Sequence, residues 1–358
     1  DAATVARILA IGNQALENVV GGTDNIAIGH HASEAMTTGN TNTSIGVYAS
    51  EDMTIGTRNV AIGYGANQKG IDQDYCVYIG FEAGRDNNNT IAIGYTSMVN
   101  NDAFGGGNTC VGSYTMAAAT SGAGNENSCF GYAAGYNITS GTINTCAGNA
   151  SGYDITTGSN NLFLGNNAGR SSSPSGSVTT TGNRVCLGND SISDIFCADT
   201  SISSSDSRDK ADITNFTAGL EWIKSLRPVT YRWDKRSWYL PNKKVTQAQI
   251  DNGEFKQSEL GNEIPGSGDG NIKEVTRDGS KKKSKVNLGF IAQEVLEVEK
   301  AHGYSDSADS MLTVNLTEDG DRYGLKYERL VPVLVNAIKE LSTKNDALEA
   351  RIAALEAG

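Results

Sequence analysis

The chain has 358 residues, enough for two or more domains, and its 29 Lys+Arg stand against 41 Asp+Glu for a formal net charge of -12. An acidic balance of this size argues against nucleic acid or an anionic membrane surface as the main partner. No run of about 18 apolar residues is present to span a bilayer. The opening DAATVARILAIG lacks the charged and apolar regions of a signal peptide and has no initiator Met, so the chain reads as a fragment or processed product of something longer.

Charge and glycine are unevenly placed. Residues 1–204 hold 6 Lys+Arg and 16 Asp+Glu, residues 205–358 hold 23 and 25, and 30 of the 42 glycines fall in the first part. Two differently built regions therefore meet near the serine run at 201–205.

The first region is one repeat. LAIGNQAL, IAIGHHAS, TSIGVYAS, VAIGYGAN, VYIGFEAG and IAIGYTSM are followed by TCVGSYTM, SCFGYAAG, TCAGNASG, LFLGNNAG and VCLGNDSI, with most glycines 17 residues apart and the extremes at 14 and 23. A unit this short suits one coil of a β-solenoid: a short strand, a Gly where the chain needs positive φ or close backbone approach, a second short strand, then a Thr/Gly/Asn turn. The repeat N-x-A-I-G-x-x-A, carried by Asn25, Ile26, Ala27, Ile28, Gly29 and Ala32 and again by Asn59 to Ala66, resembles the β-roll heads of trimeric autotransporter adhesins and similar repeats of phage tail fibres. The resemblance covers about residues 7–190 and implies a left-handed, parallel, trimeric β-roll.

Cys110, Cys129, Cys146 and Cys186 stand where Ala27 stands in its repeat, while Cys76 and Cys197 lie elsewhere. With no C-x2-C pair, and with one repeat position becoming an internal ladder in a solenoid, these cysteines read as small buried packing residues of a protein assembled in a reducing compartment. His30 and His31 follow a repeat glycine and His302 lies far away in a polar stretch. No third ligand appears at metal-site spacing, so all three read as surface or interface histidines, and neither metal nor cofactor is expected. No carboxylate pair stands out in an apolar setting to suggest a glycosidase.

After Lys210 the pattern becomes mixed α/β. Phe216, Leu220, Ile223 and Leu226 fall at helical spacing before Arg227-Pro228 ends the helix, and VTYRW places Val229, Tyr231 and Trp233 on one face of a strand. Residues 235–285 form a long excursion whose SKKKSK run reads as a solvated loop. KVNLGFIAQEVLEV reads as strand into helix, and LTVNL and YGLKY as short strands. From Tyr327 the chain is helical, with Val331, Leu334, Ile338, Leu341, Asn345, Leu348, Ile352 and Leu355 as the a and d positions of a heptad seam and Asn345 as its one polar member.

At the junction stands SSSDSRDK, residues 203–210. A Ser and a Lys build a self-activating nucleophile where the fold buries the amine, so that it is neutral and takes the hydroxyl proton. The blocks SDSRDKADI (205–213), LRPVTYRW (226–233), LGFIAQEV (288–295) and LKYERLVPVLVNAIKEL (325–341) resemble the endosialidase-type intramolecular chaperone, the self-cleaving C-terminal domain also called peptidase S74. That resemblance implies a cleavage dyad of Ser205 and Lys210 and a scissile bond between Ser204 and Ser205. Asp209, where an apolar residue is common in that family, is expected to hold the amine protonated and slow the reaction.

The expected organisation is a β-roll fibre domain over 1–200, a serine-rich cleavage linker at 201–205, a small α/β chaperone domain over 206–330 and a C-terminal coiled-coil helix over 331–358. The expected function is that of a viral tail-fibre segment for host attachment, assembled in the host cytoplasm and carried in the virion. Its C-terminal domain drives trimer folding and then releases itself as a single-turnover serine endopeptidase. The expected partners are two further copies of the chain and a host-cell surface receptor or glycan, with no nucleic acid and no membrane insertion. The alternative is a bacterial trimeric surface adhesin whose C-terminal domain is a trimerisation clamp that stays attached. Such an adhesin needs a signal peptide and a membrane anchor after the roll, and the coiled coil ending at Gly358 leaves no room for that anchor.

Overall fold

The computed structural model describes residues 7–84, 89–99, 105–118, 124–192, 195, 205–240, 243–244, 247, 260–264, 272–305, 307 and 310–357. Contacts divide the chain into two compact units, Asp1–Ile192 with Leu240–Glu274, and Ser193–Tyr239 with Val275–Gly358.

The first unit is a parallel β-solenoid. Eleven three-residue strands stack in sequence order: β1 (Leu9–Ile11), β2 (Ile26–Ile28), β3 (Thr43–Ile45), β4 (Val60–Ile62), β5 (Val77–Ile79), β6 (Ile91–Ile93), β7 (Thr109–Val111), β8 (Ser128–Phe130), β9 (Thr145–Ala147), β10 (Leu162–Leu164) and β11 (Val185–Leu187). Register is one repeat throughout, so Ala27 lies on Ser44, Ser44 on Ala61, Ala61 on Tyr78, and Cys110 on Cys129 on Cys146. From β2 onward the middle residue of every strand is buried. Its size varies widely, and glycine absorbs the difference. A Cβ on Gly84 would lie 1.9 Å from the ring of Tyr78, and one on Gly169 would lie 2.3 Å from the ring of Phe163. The corresponding position under Ala27 and Ser44 holds Ser33 and Ser50. Met36, Met53, Met98 and Met116, fully buried, fill the remaining core.

The second strand expected in each coil is absent among the described residues. That part of the coil instead uses left-handed backbone at ordinary residues, for example His31 (φ 56), Ser33 (φ 51) and Thr41 (φ 60), repeated one coil on at Tyr48, Ser50 and Arg58. Each such residue disfavours this conformation by about 1–2 kcal/mol. The N–H groups so aimed bond up and down the stack: His31 donates to the Asn13 carbonyl and Ser33 to the Ala49 carbonyl, both at 2.9 Å.

A row of buried asparagines locks the coils together. Asn42 donates its backbone N–H to Asn25 Oδ1 (2.9 Å) and its side-chain amide to the Gly56 carbonyl (2.7 Å). Asn59 repeats this on Asn42, with its amide on the Gln73 carbonyl. Cys76 and Thr90 interrupt the row, which resumes through Asn108, Asn127, Asn144 and Asn161.

The strands' outer residues are apolar too. Leu9, Ile11, Ile26, Ile91, Phe130, Leu164, Val185 and Leu187 are exposed on the face of the sheet that points away from the solenoid core.

The five described cysteines are buried and no disulfide joins them; Cys197 lies outside the described residues. The hydrogen bond with Cys110, together with burial, pushes the Cys129 thiol well above its usual range, and the one with Cys129, together with burial, does the same to Cys146. They remain thiols and pack as small apolar groups.

In the second unit, α1 (Leu220–Ser225) leads to β12 (Val229–Tyr231), which pairs antiparallel with β15 (Asn287–Gly289). The excursion between them includes the short antiparallel pair β13 (Lys243–Lys244) and β14 (Glu263–Ile264), which contacts assign to the first unit. Next come α2 (Ala292–Ala301), the antiparallel pair β16 (Val314–Leu316) and β17 (Tyr323–Leu325), and α3 (Leu330–Glu356).

Helix α1 is shorter than its periodicity suggests. Phe216 lies outside it because Asn336 takes the Phe216 carbonyl at 2.7 Å and the Ala218 carbonyl at 3.3 Å. Gly219 then approaches α3 so closely that a Cβ would meet the Ala337 backbone nitrogen at 2.8 Å. Trp233 likewise falls past the end of β12 and is exposed. Trp222 is fully buried, with the rings of Phe216 and His302 at centroid distances of 5.8 and 4.8 Å. His302 is thus a packing residue, its ring Nδ1 facing the Val298 carbonyl.

Helix α3 has two apolar stripes. Leu330, Val333 and Ala337 are buried within the unit, whereas the heptad seam stands in the open, with Ile338 66% and Leu355 74% exposed.

The asparagine row yields a stability test. Asn144→Ala removes the acceptor of the Asn161 backbone N–H (3.0 Å) and the donor to Asn127 Oδ1 and the Gly158 carbonyl (both 3.0 Å). A buried polar group left unpaired costs about 1–3 kcal/mol, so the variant is expected to unfold at clearly lower temperature in a far-ultraviolet circular dichroism melt. An unchanged melting curve would show that the row is not what fixes the coils.

Candidate active site

Ser205 and Lys210 flank a single tight turn. Ser207–Asp209 form one turn of 3-10 helix capped by Asp206, whose carboxylate accepts the Arg208 backbone N–H at 2.9 Å. The same carboxylate is gripped by the Arg208 guanidinium, at 3.0 Å from Nε and 2.6 Å from Nη2. The side-chain hydrogen bond from Arg208 holds the Asp206 carboxyl below the usual carboxylate range and raises the guanidinium in turn. Lys210 leaves the turn in extended conformation (φ -117, ψ 136) with its N–H on the Ser207 carbonyl. Its Nζ lies 2.7 Å from Ser205 Oγ.

The spacing of S-D-S-R-D-K therefore has a physical reading. Asp206 and Arg208 close the turn, and closure brings the first and last side chains into hydrogen-bond contact. Asp206 and Arg208 are the positioning residues that the pairing of Ser with Lys leaves unnoticed. A capping Asp with Arg two residues later was the available signal. Asp209 makes no ion pair with Lys210 among the described residues. Ser205 to Asp212 are all exposed, and Ser204 lies outside the described residues. A serine attacks only when a base takes its proton, and an amine serves as base only once stripped of water. The contact is thus in place within one chain, while the burial that chemistry demands is not.

The other sequence blocks meet in space. LRPVTYRW and LGFIAQEV pair through β12 and β15, and Arg227 and Glu294 join them by a two-pronged ion pair whose Nε–Oε2 arm measures 3.0 Å. Tyr327, from the last block, accepts the Phe290 N–H at 3.1 Å, and a Cβ on Gly289 would lie 2.4 Å from that hydroxyl.

Residues 205–253 match the Peptidase_S74 family, chaperone of endosialidase. The match begins at Ser205 itself and indicates self-cleaving, serine-type peptidase chemistry in general. No curated protein and no solved structure gives a significant match.

One carboxylate outside the turn anchors the second unit. Glu299 is fully buried in α2 and accepts the backbone N–H groups of Leu312 (3.1 Å), Thr313 (2.6 Å) and Val314 (3.1 Å) together with the hydroxyls of Ser305 and Thr313. Burial pushes its carboxyl up, but these donors outweigh burial and hold it below the usual range. A depressed carboxyl contributes stability at pH above its unfolded value, about 4.3. That contribution is lost as pH falls through the folded value.

Glu299→Gln, which turns one acceptor into a donor facing donors, is expected to cost about 1–3 kcal/mol. All three tryptophans lie in this unit, so guanidinium unfolding followed by tryptophan fluorescence measures it. The difference between wild type and variant should be full at pH 7 and shrink below pH of about 4; a difference independent of pH would remove Glu299 as the anchor.

Proposed function

We propose that this chain is a segment of a homotrimeric viral tail fibre that folds under the direction of its own C-terminal domain and then cuts that domain off before Ser205. The first unit is the shaft or host-contacting body, meeting a cell-surface receptor or glycan. The second aligns three chains in the host cytoplasm and departs, leaving the fibre in the virion. The observation that carries this reading is the 2.7 Å contact of Lys210 Nζ with Ser205 Oγ at the first residue of the family match.

Two uncovered apolar surfaces support the trimer. The outer face of the eleven-stranded sheet and the heptad seam of α3 both repeat at fixed intervals, and each is apolar where a lone chain meets water. Covering them with identical faces of two further chains removes this area from water at about 25 cal/mol per Å². Solenoid coils match across three chains only if the chains start aligned. A coiled coil that joins them first lowers the entropic cost of that alignment.

Assembly also explains how an exposed dyad becomes competent. Neighbouring chains packed over the turn strip water from Lys210, which then accepts the Ser205 hydroxyl proton. Oγ attacks the Ser204 carbonyl carbon and the bond to the Ser205 nitrogen breaks as that nitrogen takes the proton. The resulting ester is hydrolysed by water, restoring the hydroxyl and leaving a carboxylate on Ser204. Cutting is thereby tied to completed folding, and each chain cuts once.

Mass analysis of freshly made protein under denaturing conditions is expected to give fragments 1–204 and 205–358, and Ser205→Ala and Lys210→Ala each a single uncut chain. Cleavage surviving either substitution removes the dyad, and an uncut wild-type trimer favours the adhesin reading with a permanent clamp. Light scattering should report three chains per particle for the uncut variants. Ile338→Asp combined with Leu341→Asp should both reduce the particle to single chains and abolish cleavage; cutting by a proven monomer would break the link between assembly and chemistry.

A further inference from the structure

One-coil register stacks every residue of the first unit on its counterpart, including like charges. Position five after the repeat glycine is Glu17, Glu34, Glu51 and Gln68 in four successive coils. The backbone seats them directly, since Asn18 donates its N–H to the Glu34 carbonyl and Ala35 to the Glu51 carbonyl. Two carboxylates stacked on one face repel one another. Beside this stack stands His31, three residues before Glu34, with its Nδ1 against the Glu34 carboxylate. One donor atom from each of His31, Glu34 and Glu51 lies within 4.8 Å of the other two, and all three residues are half-buried.

We propose that His31, Glu34 and Glu51 bind a first-row divalent transition-metal ion that clamps two consecutive coils. Two ligands come from one coil and the third from the next, so the ion bridges a seam otherwise held by hydrogen bonds. Metal–ligand bonds near 2.1 Å place donors about 3–3.5 Å apart, which side-chain rotation supplies here. One imidazole with two carboxylates suits zinc and its neighbours better than calcium or magnesium, which take oxygen donors.

Outer contacts hold the ligands in place. Gln68 Nε2 donates to Glu51 Oε2 at 2.7 Å, leaving the second carboxylate oxygen for the ion, and the Tyr48 ring lies 5.4 Å from the His31 ring. Histidine and two glutamates spaced 3 and 17 residues apart match no linear metal motif, and the third ligand emerges only when one coil is laid on the next.

The test uses the full chain, stripped with a chelator and titrated with zinc chloride by calorimetry. One ion per chain is expected, and a higher melting temperature with zinc that calcium does not reproduce. His31→Gln and Glu51→Gln introduce residues that neighbouring coils already carry at these positions, Gln14 and Gln68, so the fold should tolerate them. Each is expected to weaken zinc binding at least tenfold while leaving the zinc-free melting temperature unchanged. Cobalt substitution supplies an independent readout on the wild type: a spectrum of nitrogen and oxygen ligands is expected. No saturable zinc binding, binding unaltered in both variants, or a thiolate-to-cobalt band assigning the ion to the cysteines would each overturn the proposal.

Discussion

Register between coils is the constraint on which the first unit depends. Once backbone hydrogen bonds set Ala10 on Ala27 and Ala27 on Ser44, every side chain meets its own repeat. Asparagine profits, because one amide offers both an acceptor to the next backbone N–H and a donor to a carbonyl. A large core residue does not, because the position above or beside it must shrink; Gly84 below Tyr78 and Gly169 below Phe163 show how the chain makes room. Departures from 17 residues are taken up outside the strands, since β5 to β6 (14 residues apart) and β10 to β11 (23 apart) keep the same three-residue register.

The second unit is governed by a different balance. Its core gathers around Trp222, Val295, Leu296 and Val314, and much of the order comes from polar groups that tie distant segments: Asn336 on the Phe216 carbonyl, Tyr327 on Phe290, Glu299 on the Leu312–Val314 backbone. Helix α3 gives one stripe to this core and keeps a second, longer one clear. A helix so divided serves its own domain and a neighbour at once.

Much of this was legible in the chain. The glycine spacing located all eleven strands, because a strand that must be followed by positive φ leaves a mark at each turn of the coil. The cysteine row, the strand-to-helix step at 287–301 and the heptad seam were also readable from periodicity. Hidden from it were features that depend on where another element lies. Gly219 ends the upstream extended segment because α3 passes against it, and no local propensity records that. Left-handed backbone at His31 or Tyr48 is disfavoured locally and arises only because neighbouring coils take the N–H groups. At the junction, Ser and Lys were visible as chemistry, whereas Asp206 and Arg208 mattered as geometry. The exposure of the pair could not be foreseen from six residues.

The turn from Ser205 to Lys210 is self-contained. Cap, guanidinium fork, hydroxyl and amine all belong to six consecutive residues, and no distant side chain is needed to bring the pair into contact. Geometry and reactivity are thereby carried on different scales: the first is written into a hexapeptide and exists as soon as the ribosome releases it, the second waits for surroundings that the hexapeptide does not contain. A nascent chain can thus hold a loaded mechanism for the whole of its folding without harming itself, with the removal of a few water molecules as its trigger.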